Sequence, residues 1–398
     1  MDDLLPRGIY YRPRQTPPDF FRLATFNFVE GTSRRAAHDA LAELFQVIGD
    51  LRQGVIRDLR PTLPNDPLIK VDPGDLEVVL GFGKRLFRAR EGDVLAAPAP
   101  FNLPDLGAGP FPRLRWRSTA RRESAQTDFA LALHGNSELT VARALVELSK
   151  AIDDKALPVR LVCFFAGLHR DDRRSWIDFH DGLNNMRSGD ERRLAIETLS
   201  EQPWLVGGSK MLFLKIEIDL EGWRRLSRQQ QEVLVGRNKL TGCPLVAAGV
   251  GPDGIETTSA AGCPAVGGEI DRSNPAFIEI PSVPLGDLLQ ESHVIRSNRH
   301  RQGPDNPGNN RIYRQGYEFV DSPPEGGLRV GLNFVSFQSD FKRVLDILRT
   351  PAWLGDANFG GIPSHPQVGA FDLMHLVAGG AFVVPPVGDP FPGASIFA

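Results

Sequence analysis

The sequence predicts an α+β protein built from two related halves with antiparallel sheets. Three observations carry this expectation. Segments of period-two alternation rich in β-favouring residues are separated by segments of helical spacing. A strand–helix–strand order occurs twice in residues 1–200, and a similar order starts again in residues 201–398, with the boundary near 201–208. No short-period repeat points to a solenoid.

In the first half, residues 20–29 (FFRLATFNFV) alternate as a strand. Residues 32–51 follow as a helix, with Thr32 or Ser33 as its cap and Ala37, Leu41, Leu44, Phe45 and Ile48 on its apolar face. Residues 76–80 (LEVVL) are a strand running into the turn Gly81-Phe82-Gly83, and residues 127–134 are another. A helix over 138–152 presents Leu139, Val141, Ala142, Ala144, Leu145 and Leu148, and a strand over 159–165 closes the half. In the second half the predicted strands are 211–218 (MLFLKIEI), 311–319, 330–337 and 381–384. The predicted helices are 227–235, capped by Ser227, and 340–348. Each half follows the order of a ferredoxin-like α+β unit.

The chain has 398 residues, 41% hydrophobic and 24% charged, the composition of an ordinary globular protein. A net charge of −3 gives no support to a nucleic-acid partner, which needs a basic face, or to an anionic membrane surface. No run approaches the ~18 apolar residues of a membrane span, and the first residues lack the pattern of a secretory signal, so a cytoplasmic location is expected. Cys163, Cys243 and Cys263 form no CxxC pair and read as three reduced thiols. Gly and Pro cluster at 90–115, 250–274 and 299–310, three stretches that read as long loops. Loops of that length often form rims or lids.

Three clusters could carry chemistry. His293 lies in LLQESHVIRSNRHR, behind apolar residues and ahead of Arg296, Arg299 and Arg301. A heme needs a neutral imidazole on its iron and cations for two propionates, and His293 with Arg296 offers both one turn apart. By spacing alone, a polar loop with scattered arginines fits as well. Residues 176–185, WIDFHDGLNN, either form a tight turn or project Asp181 into a pocket from the bend at Gly182. Arg314, in RIYRQGY, points opposite to Tyr313 and Gln315 if the segment is a strand. It then faces either solvent or an anion.

Together these segments resemble the dye-decolorizing peroxidase family over most of the chain. Residues 207–245, from GGSKMLFLKIEIDLEGW to VGRNKLTGCPL, are similar to the family's stretch that runs from GGSY to GR-x-K-x-TG-x-PL. LEVVLGFGKRLF at 76–87, GLNFVSFQSDF at 331–341 and GGAFVVPP at 379–386 resemble further family motifs in the same order. SHVIRSNRH is similar to the proximal motif, a His with Asn five residues later.

The resemblance implies heme b as cofactor, with His293 as axial iron ligand, Asn298 as its motif partner and Arg296 within reach of a propionate. It makes Asp181 and Gly182 the distal acid and its glycine, Arg314 the distal arginine, and Leu332 and Phe334 the apolar roof. Asp372 would be the acid behind His293. Asp178 replaces the first glycine of the distal motif, from which a changed local backbone path is expected. The implied fold is two ferredoxin-like halves of the dimeric α+β barrel type. The N-terminal half, 1–200, would carry the distal Asp motif, and the C-terminal half, 201–398, the heme ligand and most of the heme contacts. The implied activity is reduction of hydrogen peroxide coupled to one-electron oxidation of small aromatic or dye-like donors. Tyr313 and Tyr317 would be candidates for relaying electrons from large donors. A heme-binding or heme-iron-handling protein with little turnover, and a relative without heme, are the rival expectations, and a homo-oligomer is left open.

Overall fold

The computed structural model describes residues 8–9, 17–87, 125–183, 185–186, 189–198, 202–251, 254–259, 263, 289, 292–298, 311–323, 326–348, 373–388 and 390–397. The first half runs β1 (Phe20–Phe28), α1 (Arg34–Arg52), β2 (Glu77–Gly83), β3 (Phe129–Gly135), α2 (Glu138–Asp154), β4 (Val159–Leu168) and α3 (Gly189–Ile196). The second half begins with β5 (Ser209–Ile218), α4 (Leu220–Arg225), α5 (Arg228–Val235), β6 (Leu245–Gly251) and β7 (Gly254–Ser259). It continues with α6 (His293–Asn298), β8 (Tyr313–Asp321), β9 (Arg329–Gln338), α7 (Phe341–Leu348) and β10 (Met374–Val384).

Eight strands close an antiparallel barrel in the order β1-β3-β2-β10-β5-β9-β8-β4. The first half supplies the run β4-β1-β3-β2 and the second β10-β5-β9-β8, so the two runs have the same internal order. Two short seams join them: Phe382↔Gly83 with Val383↔Phe82, and the single pair Leu168↔Glu318. Strand alternation separates two apolar faces. Phe21, Leu23, Phe213, Tyr313, Tyr317, Val335 and Phe382 form one cluster. Phe26, Leu131, Leu212, Leu214 and Ile216 instead join the residues of α1, α2 and α7 in another.

The helix starts follow from their caps. Ser33, Ser137 and Ser227 each accept a backbone N–H of the first turn, and Ser227 with Gln230 completes a capping box. A cap of this kind contributes about 1 kcal/mol. β10 runs seven residues further back than its predicted start at 381. Gly379 and Gly380 have weak strand propensity, yet at Gly380 a Cβ would lie 2.3 Å from the Ala125 carbonyl oxygen. Close packing therefore requires the residue that hides the strand.

Two expectations are corrected. The stretch 250–274 is not all loop, because β6 and β7 pair as a hairpin across Gly251↔Gly254. The cysteines are not three thiols: Cys243 and Cys263 form a disulfide across 20 residues, and Cys163 keeps its thiol, 3.3 Å from the Thr25 hydroxyl. The partners come together through the fold rather than through a short motif, so a search for CxxC spacing could not find them. The predicted loops at 90–115 and 299–310, and Asp372, lie outside the described residues.

Candidate active site

One cavity brings together Asp181, Gly182, His293, Arg314, Leu332 and Phe334 from distant parts of the chain. Its floor is the outer face of the second-half strands: Arg314, Gly316 and Glu318 of β8, Leu332 and Phe334 of β9, Ile216 and Ile218 of β5, and Met374 of β10. The walls are residues of the loop between Ser175 and Leu183 with Asn185, Val235 at the end of α5 with Arg237 beyond it, α6 with His293, Val294 and Ser297, and the α7 residues Val344, Ile347 and Leu348. Leu332 and Phe334 face Glu318 and Gly316 across the β8–β9 ladder, so the roof residues and the distal residues share one sheet face.

Asp181 is held by its loop. Its N–H donates to the Arg173 carbonyl at 3.0 Å, and Arg174 pairs with His180 as an isolated bridge. Arg174 also donates to the carbonyls of Lys239 at 2.6 Å and Leu240 at 3.0 Å, tying the loop to the segment after α5. Asp178 has φ 67°, in the left-handed region that glycine favours, and Gly182 has φ 71°. The expected change of path at Asp178 is not needed, since Asp tolerates this region better than most residues. Its exposed carboxylate lies 3.6 Å from Arg170 and 3.5 Å from Lys239. Asp178→Gly should therefore change stability by less than about 0.5 kcal/mol, whereas Asp178→Val should cost about 1–2 kcal/mol. Denaturant titration of the two variants checks this.

Arg314 is fixed through its backbone. Near it, among the described residues, β8 has no strand partner on the β4 side, where the pairing is Leu168↔Glu318. The Asn185 side chain fills that role: its Nδ2 donates to the Arg314 carbonyl at 2.7 Å and its Oδ1 accepts the Arg314 N–H at 3.2 Å. One guanidinium nitrogen donates to the Leu183 carbonyl at 3.3 Å. Arg237 is buried at the same cavity and donates to the Gly242 carbonyl at 2.8 Å. Burial, then the charge of Arg314, pushes Arg237 down to about 10.

Tyr313 and Tyr317 lie on the opposite face of β8, buried in the other cluster. The Tyr317 hydroxyl is 3.0 Å from His134 Nδ1. Arg296 and Asn298 fall on α6 with His293. Sequence reasoning did not single out Asn185, Arg237, Gly316 or Glu318. Asn185 and Arg237 stood inside recognised motifs as turn and family residues, while Gly316 and Glu318 gave no local signal.

An apolar cavity with two imidazoles, His180 and His293, at its walls and Arg237, Arg311 and Arg314 along it suits a flat, largely apolar group that carries acids and a metal. Among the described residues no group of three or more His, Cys, Asp or Glu could hold a bare metal ion. The imidazoles, arginines and apolar lining fit a heme, whose macrocycle supplies most of the iron ligands itself, and the class the site defines is that of a heme protein. Comparison with known proteins agrees. Residues 172–388 match the family described as Dyp-type peroxidase, C-terminal, and the chain belongs to the DyP-type peroxidase family, whose members are heme-dependent oxidoreductases acting on hydrogen peroxide.

Among curated proteins, the chain is similar to a dye-decolorizing peroxidase of Thermobifida fusca, 24% identical over 346 residues that cover 82% of this chain and 70% of the relative. It is also similar to the deferrochelatase of Escherichia coli, 23% identical over 305 residues, covering 71% of this chain and 64% of that protein. Among solved structures, the DyP-type peroxidase from Cellulomonas bogoriensis superposes with a TM-score of 0.68 at 19% identity over 99% of each chain. The encapsulated DyP-type peroxidase from Mycobacterium smegmatis gives 0.61 at 19% identity, over 96% of this chain and 99% of the other. At such identities the superpositions show the fold alone.

Proposed function

We propose that this chain binds heme b through His293 and reduces hydrogen peroxide, drawing single electrons from small aromatic or dye-like donors. The observation that carries the reading is that His293, Asp181 and Arg314, drawn from three distant segments, line one cavity. Residues 1–200 and 201–398 are read as two ferredoxin-like halves, the first bringing Asp181 and Gly182 and the second holding the heme. Bound heme supplies the iron that accepts peroxide and stores its oxidising equivalents. His293 would ligate that iron, with Asn298 beside it in the motif, and Asp372 would accept the imidazole N–H, making it a stronger donor. Arg296, Arg237 and Arg311 would be the cations for the propionates, and Leu332 and Phe334 would exclude water above the ring. Asp181 would take the proton from one peroxide oxygen and return it to the other. Arg314 would stabilise the charge that develops as the oxygen–oxygen bond breaks.

The test is the absorption spectrum of heme-loaded protein mixed with one equivalent of hydrogen peroxide. A Soret band that shifts and then returns when a phenol is added supports turnover. Asp181→Asn should keep the starting spectrum and slow the shift on the order of 10²-fold. A Soret band that stays in place would favour heme or heme-iron handling, the reading suggested by the similarity to deferrochelatases. The sequence argument for that reading was Asp178, and its glycine-like backbone weakens it.

Among the described residues no helix is long and apolar enough to cross a membrane. A cytoplasmic location and the Cys243–Cys263 bond pull in opposite directions, because cytosolic thiols are usually kept reduced. Thiol titration of protein trapped at cell lysis decides between them.

A further inference from the structure

β8 presents residues 314, 316 and 318 to the cavity at alternate positions, each roughly 6.5–7 Å from the next. Arg314 and Glu318 carry functional groups there, and Gly316 between them carries none. The Asp181 carboxylate fills that gap: a Cβ at residue 316 would sit 2.8 Å from Asp181 Oδ2 and 3.1 Å from Leu332 Cδ1. Asp181 therefore lies in a row between a guanidinium and a second acid.

That second acid is almost fully enclosed, with 4% of Glu318 exposed. Its Oε2 accepts the Trp176 N–H at 3.1 Å. Its Oε1 is buried with no hydrogen-bond partner among the described residues. Leu332 and Leu168 stand opposite Glu318 on β9 and β4. The loop brings Asp181, His180 and Arg170, and Arg314 lies two positions along the same row. Burial first, and then the negative charge of Asp181, pushes Glu318 up to about 8, against the opposing pull of the Trp176 N–H and Arg170. An ionised Glu318 would leave a buried acceptor unmatched beside a like charge. A protonated one has an O–H to donate, and Asp181 is the acceptor in the row.

We infer that Glu318 and Asp181 form a carboxylic acid–carboxylate pair over Gly316, in which Glu318 holds the proton and Asp181 is the member that faces the peroxide. The second clause rests on the proposed peroxidase function; the pair itself does not. Reduction of one peroxide to two waters takes up two protons with the two donor electrons. Passing a proton between the oxygens of the same peroxide supplies neither. Glu318 supplies one. Once Asp181 has returned its first proton, the Glu318 O–H bond breaks and an O–H forms on Asp181, which passes that proton to the oxygen that leaves as the second water. Asp181 is again a carboxylate, the negative charge rests on Glu318, and solvent supplies the other proton and reprotonates Glu318 before the next cycle. Glu318 is thus a positioning and proton-holding residue that acts through Asp181.

The test is an infrared pH titration of the full chain, followed by rapid-mixing kinetics of the heme-loaded protein. The wild type should show a protonated-carboxyl band that titrates near 8, and Glu318→Gln should lose it. Asp181→Asn should lower the midpoint by about one pH unit, because the like charge is gone. Gly316→Ala, which pushes Asp181 off the row while changing neither acid, should lower it in the same direction. In the kinetics, the limb of the peroxide rate near the Glu318 midpoint should disappear in Glu318→Gln while the Soret band is kept. A band that survives Glu318→Gln, or a midpoint that neither Asp181→Asn nor Gly316→Ala moves, overturns the pair. The titration needs no cofactor, so failure of the chain to bind heme would sink the peroxidase reading and still leave the pair decided.

Discussion

His293→Ala should purify with little heme and bind added heme far more weakly than the wild type. Losing a partner that merely orients a metal ligand costs roughly 10–100-fold in affinity, so losing the ligand itself should exceed that. The position is tightly determined. α5 ends at Gly236, whose φ is 86°, and a Cβ there would lie 2.6 Å from Ser292 Oγ. The missing side chain lets buried Ser292 pack against the helix end, which sets where α6 begins and hence where residue 293 stands. The measurement is a Soret titration with heme, repeated with free imidazole. Imidazole should restore the wild-type spectrum in the variant, since it can occupy the space the side chain leaves, and a merely structural loss would not respond. Wild-type affinity without imidazole would transfer the ligand role to His180, the other imidazole on the cavity wall among the described residues.

Signals that act over a few residues were legible in the sequence. Alternation in 20–28, the serine before each of two helices and the apolar stripe of α1 all survive in the structure because burial and capping act locally. The hairpin β6–β7 was hidden by glycine at both ends of its turn and by small residues along LVAAGVG. The barrel's seams and the Cys243–Cys263 bond join residues whose neighbourhood the whole fold creates. His293, Asp181, Arg314, Leu332 and Phe334 could be picked out because each sits in a motif. Glu318 could not. In a strand reading YRQGYEFVD it looks like one more polar residue on an alternating face, and only the loop folded over that face turns it into a buried acid.

Arg314→Leu should keep heme and lose most of its reactivity with peroxide, by about 10²–10³-fold, the usual cost of removing one preorganised donor aimed at developing negative charge. The argument starts from how little freedom Arg314 has. Both backbone polar groups are held by Asn185, and a guanidinium nitrogen by the Leu183 carbonyl, so the side chain is aimed before any substrate arrives. Arg237 shares the cavity, and the charge of Arg314 helps lower its proton affinity. A buried and a half-buried cation that oppose each other suit a site built for an anion, because a negative charge between them relieves both at once. Replacing Arg314 should thus also raise the pKa of Arg237 and leave the fold at least as stable, while the peroxide step slows. Mixing heme-loaded variant with peroxide in a stopped-flow spectrometer gives the rate, and denaturant titration gives the stability. Slow reaction in a stable protein identifies Arg314 as a catalytic donor. An unchanged rate would leave Asp181, with Glu318 behind it, as the machinery of the distal side.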